Sequence, residues 1–336
     1  MKFYLILFII ALINPVFAEA FESSLKSTTV VIPGGEGGIG FDDLNYSSEL
    51  HKVLVPAGHT GKLYLINPVN FTMTSFAGFS SSAVRQKGQK IGISSVDEGN
   101  GVLFVGDHGR TELDALDAKS GSVIATADLA EDFDFLRYDP SHQEVWVTEP
   151  DKKQIEIIKF TPGDHPRLVA KMIISLHDEP ESIVIDQTRH RAYTNLGPKA
   201  IAIDLESHTV VDSWSNECTK SRGDALDEQK GWLFIACGEG KAEVFDLNNE
   251  NKEISNLITD PGVDVISYNQ KLSHVYFTSG KNATLSVIGV SAQGKLSLLG
   301  QASADKRSHC VVGDDQKNIW VCDPLKGQLL RYKDNL

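Results

Sequence analysis

The chain has 336 residues, 41% of them apolar and 23% charged, and a net charge of −13. That excess of acid, with no run of Lys or Arg to offset it, excludes the electrostatic footprint of a nucleic-acid or anionic-lipid binder. The length suffices for a large core, and a single all-β domain of this size is ordinary.

Residues 1–18 read as a cleaved signal peptide. Lys2 supplies a short positive start, an apolar run extends from Phe3 to Ile13, and Val16-Phe17-Ala18 places small residues at the −3 and −1 positions of a cleavage site. Ala18-Glu19-Ala20 offers a second cut. The apolar run is about half of the ~20 residues needed to span a bilayer. The mature chain, residues 19–336, is therefore expected in the periplasm or outside the cell, without a membrane span.

The next segment, "TTVVIPGGEGGIGFDDL", contains Gly35-Glu36-Gly37-Gly38-Ile39-Gly40, which matches G-x-G-x-x-G after a β-branched run. A dinucleotide-binding unit needs those glycines to open a helix and a βαβ crossover to follow. The residues that follow, "FDDLNYSSELHKVLV", read instead as strand, turn and strand. The glycines are expected to carry the chain toward a crowded axis.

From there one unit recurs. Short strands begin at Leu54, Phe104, Trp146, Ala192, Phe234, Tyr276 and Trp320, separated by 50, 42, 46, 42, 42 and 44 residues. Each unit holds an inner segment ending near Asp and a turn, this aromatic strand, a polar loop, and two further strands such as "KAIAIDL" and "TVVDSWS". Four strands at a period of 40–45 residues read as propeller blades. The expected fold is all-β: a seven-bladed β-propeller of four-stranded antiparallel blades. The last unit has three strands, so the N-terminal "STTVVIP" is expected to supply its fourth and to cover a sheet edge.

"VWVTEP", "HRAYTN" and "HVYFTSG" are variants of the YVTN repeat, and the mature chain resembles the exported YncE-like, YVTN-type seven-bladed propellers. "ECTKSRGDALDEQKGWLFIACGEG" is similar to that family's blades in which an inner strand is followed by a strand ending in Cys. The resemblance implies a binding platform more than an enzyme.

Aligned on the repeat, one position starts the inner strand of every blade: Asp42, Gly92, Asp134, Glu181, Arg222, Asp264 and His309. In a propeller these starts converge on the axis. Like charges brought close must share protons, hold counter-ions or bind a cation. Asp42, Asp134, Glu181 and Asp264 offer hard oxygens suited to Ca²⁺ or Mg²⁺, and His309 would admit Zn²⁺ or Mn²⁺. His59 and His108, in loops of blades one and two, would enlarge the site. The alternatives are a water-filled channel lining, a site for a polar small molecule or peptide, and a divalent metal site. The remaining histidines (His51, His142, His165, His177, His190, His208 and His274) fall next to charged residues in turns and read as surface residues.

Export makes two disulfides the default for the four cysteines. In blade seven Cys310 and Cys322 face each other across a hairpin. Cys218 enters blade five and Cys237 ends its second strand, at the same end of the blade but a few residues off direct opposition.

Two functions follow. The first is a monomeric, non-enzymatic platform for a protein, peptide or polar small molecule at the axial face. The alternative is a metal-dependent hydrolase of the gluconolactonase or lactonase type, with Glu181 and Asp264 as ligands and His309 as base. A structural partner in a larger complex is not separable from the first by sequence.

Overall fold

A computed structural model describes residues 25–82 and 92–336, so the leader predicted over residues 1–18 lies outside the described residues. The described chain forms seven antiparallel sheets of four strands. In chain order the inner strands of blades one to seven are Asn45–Ser47, Ile93–Gly99, Leu136–Asp139, Val184–Asp186, Ser221–Asp227, Val263–Asn269 and Val311–Gly313. Blades one to six take their four strands consecutively from the axis outward.

Blade seven is assembled from both ends of the chain. Asn318–Asp323 and Gln328–Lys333 follow its inner strand, and Thr28–Val31 pairs outside them, with Thr28 opposite Arg331 and Val31 opposite Gln328. The N-terminal strand closes the ring as expected. Leu25, just before it, is buried with Tyr276, Leu285 and Tyr332.

Packing between blades explains the composition of the second strands. Glu144–Glu149, Trp232–Cys237, His274–Ser279 and Asn318–Asp323 are buried at every residue. Both of their faces are covered by neighbouring sheets, so they read as continuous apolar or aromatic runs rather than alternating ones. Trp146 and Trp320 are fully buried there. Outer strands such as Val210–Ser215 are largely exposed.

The Asp that ends the inner strands of blades three, four and five has a local cause. Its carboxylate accepts from backbone N–H groups two or three residues on, as in Asp139 Oδ1 with Ser141 N (2.9 Å), Asp186 Oδ1 with Arg189 N (2.9 Å) and Asp227 Oδ1 with Lys230 N (3.0 Å). These side chains shape the turn into the second strand.

The glycine segment forms turns and opens no helix. Gly35 N donates to Ile32 O (3.0 Å) and Gly38 N to Gly35 O (2.9 Å). A Cβ on Gly35 would sit 2.3 Å from the carbonyl oxygen of Gly327, so the segment can lie against the last hairpin of blade seven only as glycine.

Both expected cysteine pairs are joined. Cys310–Cys322 spans a Cα distance of 5.5 Å and Cys218–Cys237 one of 5.1 Å. Two histidines depart from the expected surface placement. His208 is buried with Nε2 at 2.8 Å from Glu144 Oε2, and His274 is buried with Nδ1 at 2.7 Å from Asp334 Oδ2. Their carboxylate partners lie 64 and 60 residues away in sequence, beyond the reach of any local pattern. His51, His165, His177 and His190 are exposed, and His142 is half-buried beside Asp139. Among the described residues no helix is long and apolar enough to cross a membrane.

Candidate functional site

Strand register defines the axial ring. In five blades the inner residue facing the third-from-last position of the second strand is Val96 (opposite Val105), Leu136 (Val147), Asp224 (Ile235), Ile266 (Phe277) or Val311 (Val321). Two residues before each stand Ser94, Asp134, Arg222, Asp264 and His309. The blade-two member of the ring is therefore Ser94, a correction of the expected Gly92. The inner strand there shifts register between Ile93 and Ser95, which makes Ser94 the extra residue of a bulge. Gly92 itself cannot carry a side chain, because its φ is +81° and a Cβ would lie 1.9 Å from Gly58 O. Arg222 and Asp264 also fall inside register shifts, between Ser221 and Asp224 and between Val263 and Ile266.

Three of the predicted residues are drawn together by charge. Arg222 Nη1 donates to Glu181 Oε2 from the neighbouring blade, and Arg222 Nε lies 3.9 Å from Asp264 Oδ1 on the other side. Burial pushes the Glu181 carboxyl above its ordinary value; Arg222 draws it back, while Asp264 and Asp134 add to the rise. Asp264 is the most open of the three, its side chain 41% exposed. Asp42 and Asp134 are half-buried.

His309 is held by backbone. Its Nδ1 lies 2.7 Å from Arg307 O and its Nε2 2.9 Å from Phe41 O. Carbonyl oxygens only accept, so both contacts form together only when both ring nitrogens carry hydrogen. A general base or metal ligand at this position would first have to leave one carbonyl. Backbone bonds tie the inner strands into one frame, Val265 N to His309 O (3.0 Å) and Asp43 N to Ser94 O (3.1 Å), and the Asn195 side chain adds a bond from Nδ2 to Arg222 O (3.3 Å).

The two loop histidines have separate surroundings. His59 is buried and lines a cavity of about 530 Å³ with Glu36, Thr60, Lys62 and Ser82. His108 is buried with its ring stacked on Phe133 at 4.2 Å, its Nδ1 on Asp132 and its Nε2 2.6 Å from Ser94 Oγ. Reading by residue type missed Ser94 and Asp132, since the three residues come from a strand, a loop and a linker spread over 39 positions.

The donor set does not suit a divalent cation. Among the described residues, the trios of candidate ligand atoms within 4.8 Å of one another are His309 with the bridged Cys310 and Cys322, Glu243 with the bridged Cys218 and Cys237, and Glu217, Glu243 and Glu253, so none includes a carboxylate of the ring. At the axis the guanidinium of Arg222 stands between Glu181 and Asp264 and already supplies their counter-charge.

No protein-family model and no curated protein sequence matches the chain. Among solved structures, a chain of the "Crystal Structure of Mitotic Checkpoint Complex" aligns over 91% of this chain and 93% of its own, with a TM-score of 0.72 and 14% identity. A streptogramin B lyase aligns over 92% and 97%, with a TM-score of 0.69 and 12% identity. The Cps50 (Swd1) β-propeller domain of Myceliophteria thermophila aligns over 92% and 99%, with a TM-score of 0.71 and 10% identity. At these identities the likeness is one of fold, and the fold is the seven-bladed β-propeller.

Proposed function

We propose that the chain is an exported propeller of the YVTN type that works as a monomeric binding platform. Its ligand, a peptide or polar small molecule, is taken at the axial mouth. The observation that carries this reading is the Glu181–Arg222–Asp264 cluster, in which groups of both signs are held half-exposed on, or just ahead of, inner strands that the fold keeps fixed. Preorganised charges of this kind lose little freedom on binding. A ligand with an ammonium group for the carboxylates and an acceptor for the guanidinium edge, such as a peptide terminus, matches the cluster. Export rests on the leader at residues 1–18 and agrees with four cysteines paired as two disulfides.

The test is a thermal-shift screen of amino acids, short peptides and charged sugars against the mature chain and Arg222→Ala. The reading expects stabilising ligands whose effect disappears in the variant. Ligands that stabilise both proteins equally would place binding away from the axis.

A further inference from the structure

Ser94, His108 and Asp132 form a connected chain that the binding reading does not use. Asp132 carries a carboxylate, which only accepts, so His108 Nδ1 bears the hydrogen and Nε2 presents its lone pair. That lone pair faces the Ser94 hydroxyl at 2.6 Å. Each nitrogen thus has the partner that base-assisted activation of a serine requires, with the carboxylate fixing the tautomer. Packing holds the imidazole in this orientation: its side chain is 2% exposed and its plane lies within 2° of the Phe133 ring. The bulge between Ile93 and Ser95 sets the hydroxyl at the register position that charged residues occupy in the other blades.

We propose that Ser94 is a nucleophile activated by His108 and Asp132, and that the chain cleaves small acyl esters at the axial mouth. Ser94 is 4% exposed, which restricts the substrate to a slender, unbranched acyl group. Ser94 Oγ attacks the ester carbonyl as its proton passes to His108 Nε2. The bond to the alcohol oxygen then breaks, and the alcohol leaves with that proton. Water, giving a proton to Nε2, attacks the acyl-serine ester, releases the carboxylic acid and restores the hydroxyl. Asp132 stabilises the imidazolium in both halves. This activity does not depend on Glu181, Arg222 and Asp264 binding a ligand.

The test uses the mature chain with p-nitrophenyl acetate, locating the acyl adduct by peptide mass spectrometry after an acid quench. One covalent adduct on Ser94 is expected. Asp132→Asn should slow its formation about 10²–10⁴-fold. The Asp132 side chain is 46% exposed, so this change leaves the packing intact and carries the test even if Ser94→Ala fails to fold. A folded chain that gives no adduct on Ser94 overturns the proposal. So does an adduct that forms at the same rate in Asp132→Asn, the outcome expected if these bonds only tie the linker to blade two.

Discussion

Arg137 of blade three holds Asp43, just ahead of the inner strand of blade one, through both ends of its guanidinium, with Nη1 2.6 Å from Oδ2 and Nη2 3.1 Å from Oδ1. Asp43 is fully buried and also accepts from Ser95 Oγ of blade two at 2.7 Å, so a single carboxylate joins three blades. Asp43→Ala would leave the cation without its partner and is expected to cost about 3 kcal/mol. The paired change Asp43→Leu with Arg137→Met should recover most of that loss. Urea unfolding midpoints of both variants check this; a single variant within 0.5 kcal/mol (about the noise of surface changes) of the parent contradicts it.

Asp224 makes stability fall toward alkaline pH. Burial raises its carboxyl from the ordinary range to about 8, opposed by hydrogen bonds from Ser182 and Asn195. The folded chain therefore keeps a proton that the unfolded chain releases near its ordinary value. The stabilisation is complete in acid, below the unfolded value, and is lost as pH rises through about 8, at up to about 1.4 kcal/mol per pH unit. Melting temperatures between pH 5 and 9 should decline in the parent and flatten in Asp224→Asn. An equal slope in both would contradict this.

The disulfides stabilise through the chain they close. Cys310 and Cys322 are 12 residues apart, and Cys310→Ser with Cys322→Ser should cost about 3 kcal/mol. Mass spectrometry of the unreduced parent should find only the pairs 310–322 and 218–237. Melting with and without reductant measures the total contribution.

Closure of the ring by Thr28–Val31 predicts that a chain beginning at residue 33 loses more than local contacts. Its removal bares the edge of Gln328–Lys333 and uncovers the cluster that buries Leu25. Such an edge invites pairing with another chain. Size-exclusion chromatography should show self-association of the truncated chain, and a monomer with the parent's melting temperature would refute the closure argument.

The repeat was legible because most blades reuse one hairpin, with Asp or Asn at the turn and an aromatic residue in the second strand. The cysteine pairs were legible because each lies within one blade. What escaped the sequence came from register and from distance. The hairpin turn of blade two is two residues shorter than that of blade three, with Gly99 opposite Val102 where Asp139 faces Glu144, so an alignment by spacing stops at Gly92, two residues short. His208, His274 and the Asp43–Arg137 pair depend on partners 60 to 94 residues away. The charged ring was readable as residue types, but the placement of Arg222 between Glu181 and Asp264 was not, and that placement turns a metal-like set into a mixed-charge cluster.

Hydrogen–deuterium exchange of the mature chain, with and without the strongest ligand from the screen, tests the axial binding platform most directly. The account predicts protection in the peptides that hold Asp134, Glu181, Arg222, Asp264 and His309, with the outer strands unchanged. Protection confined to outer strands or blade flanks, with those axial peptides unaffected, would contradict it.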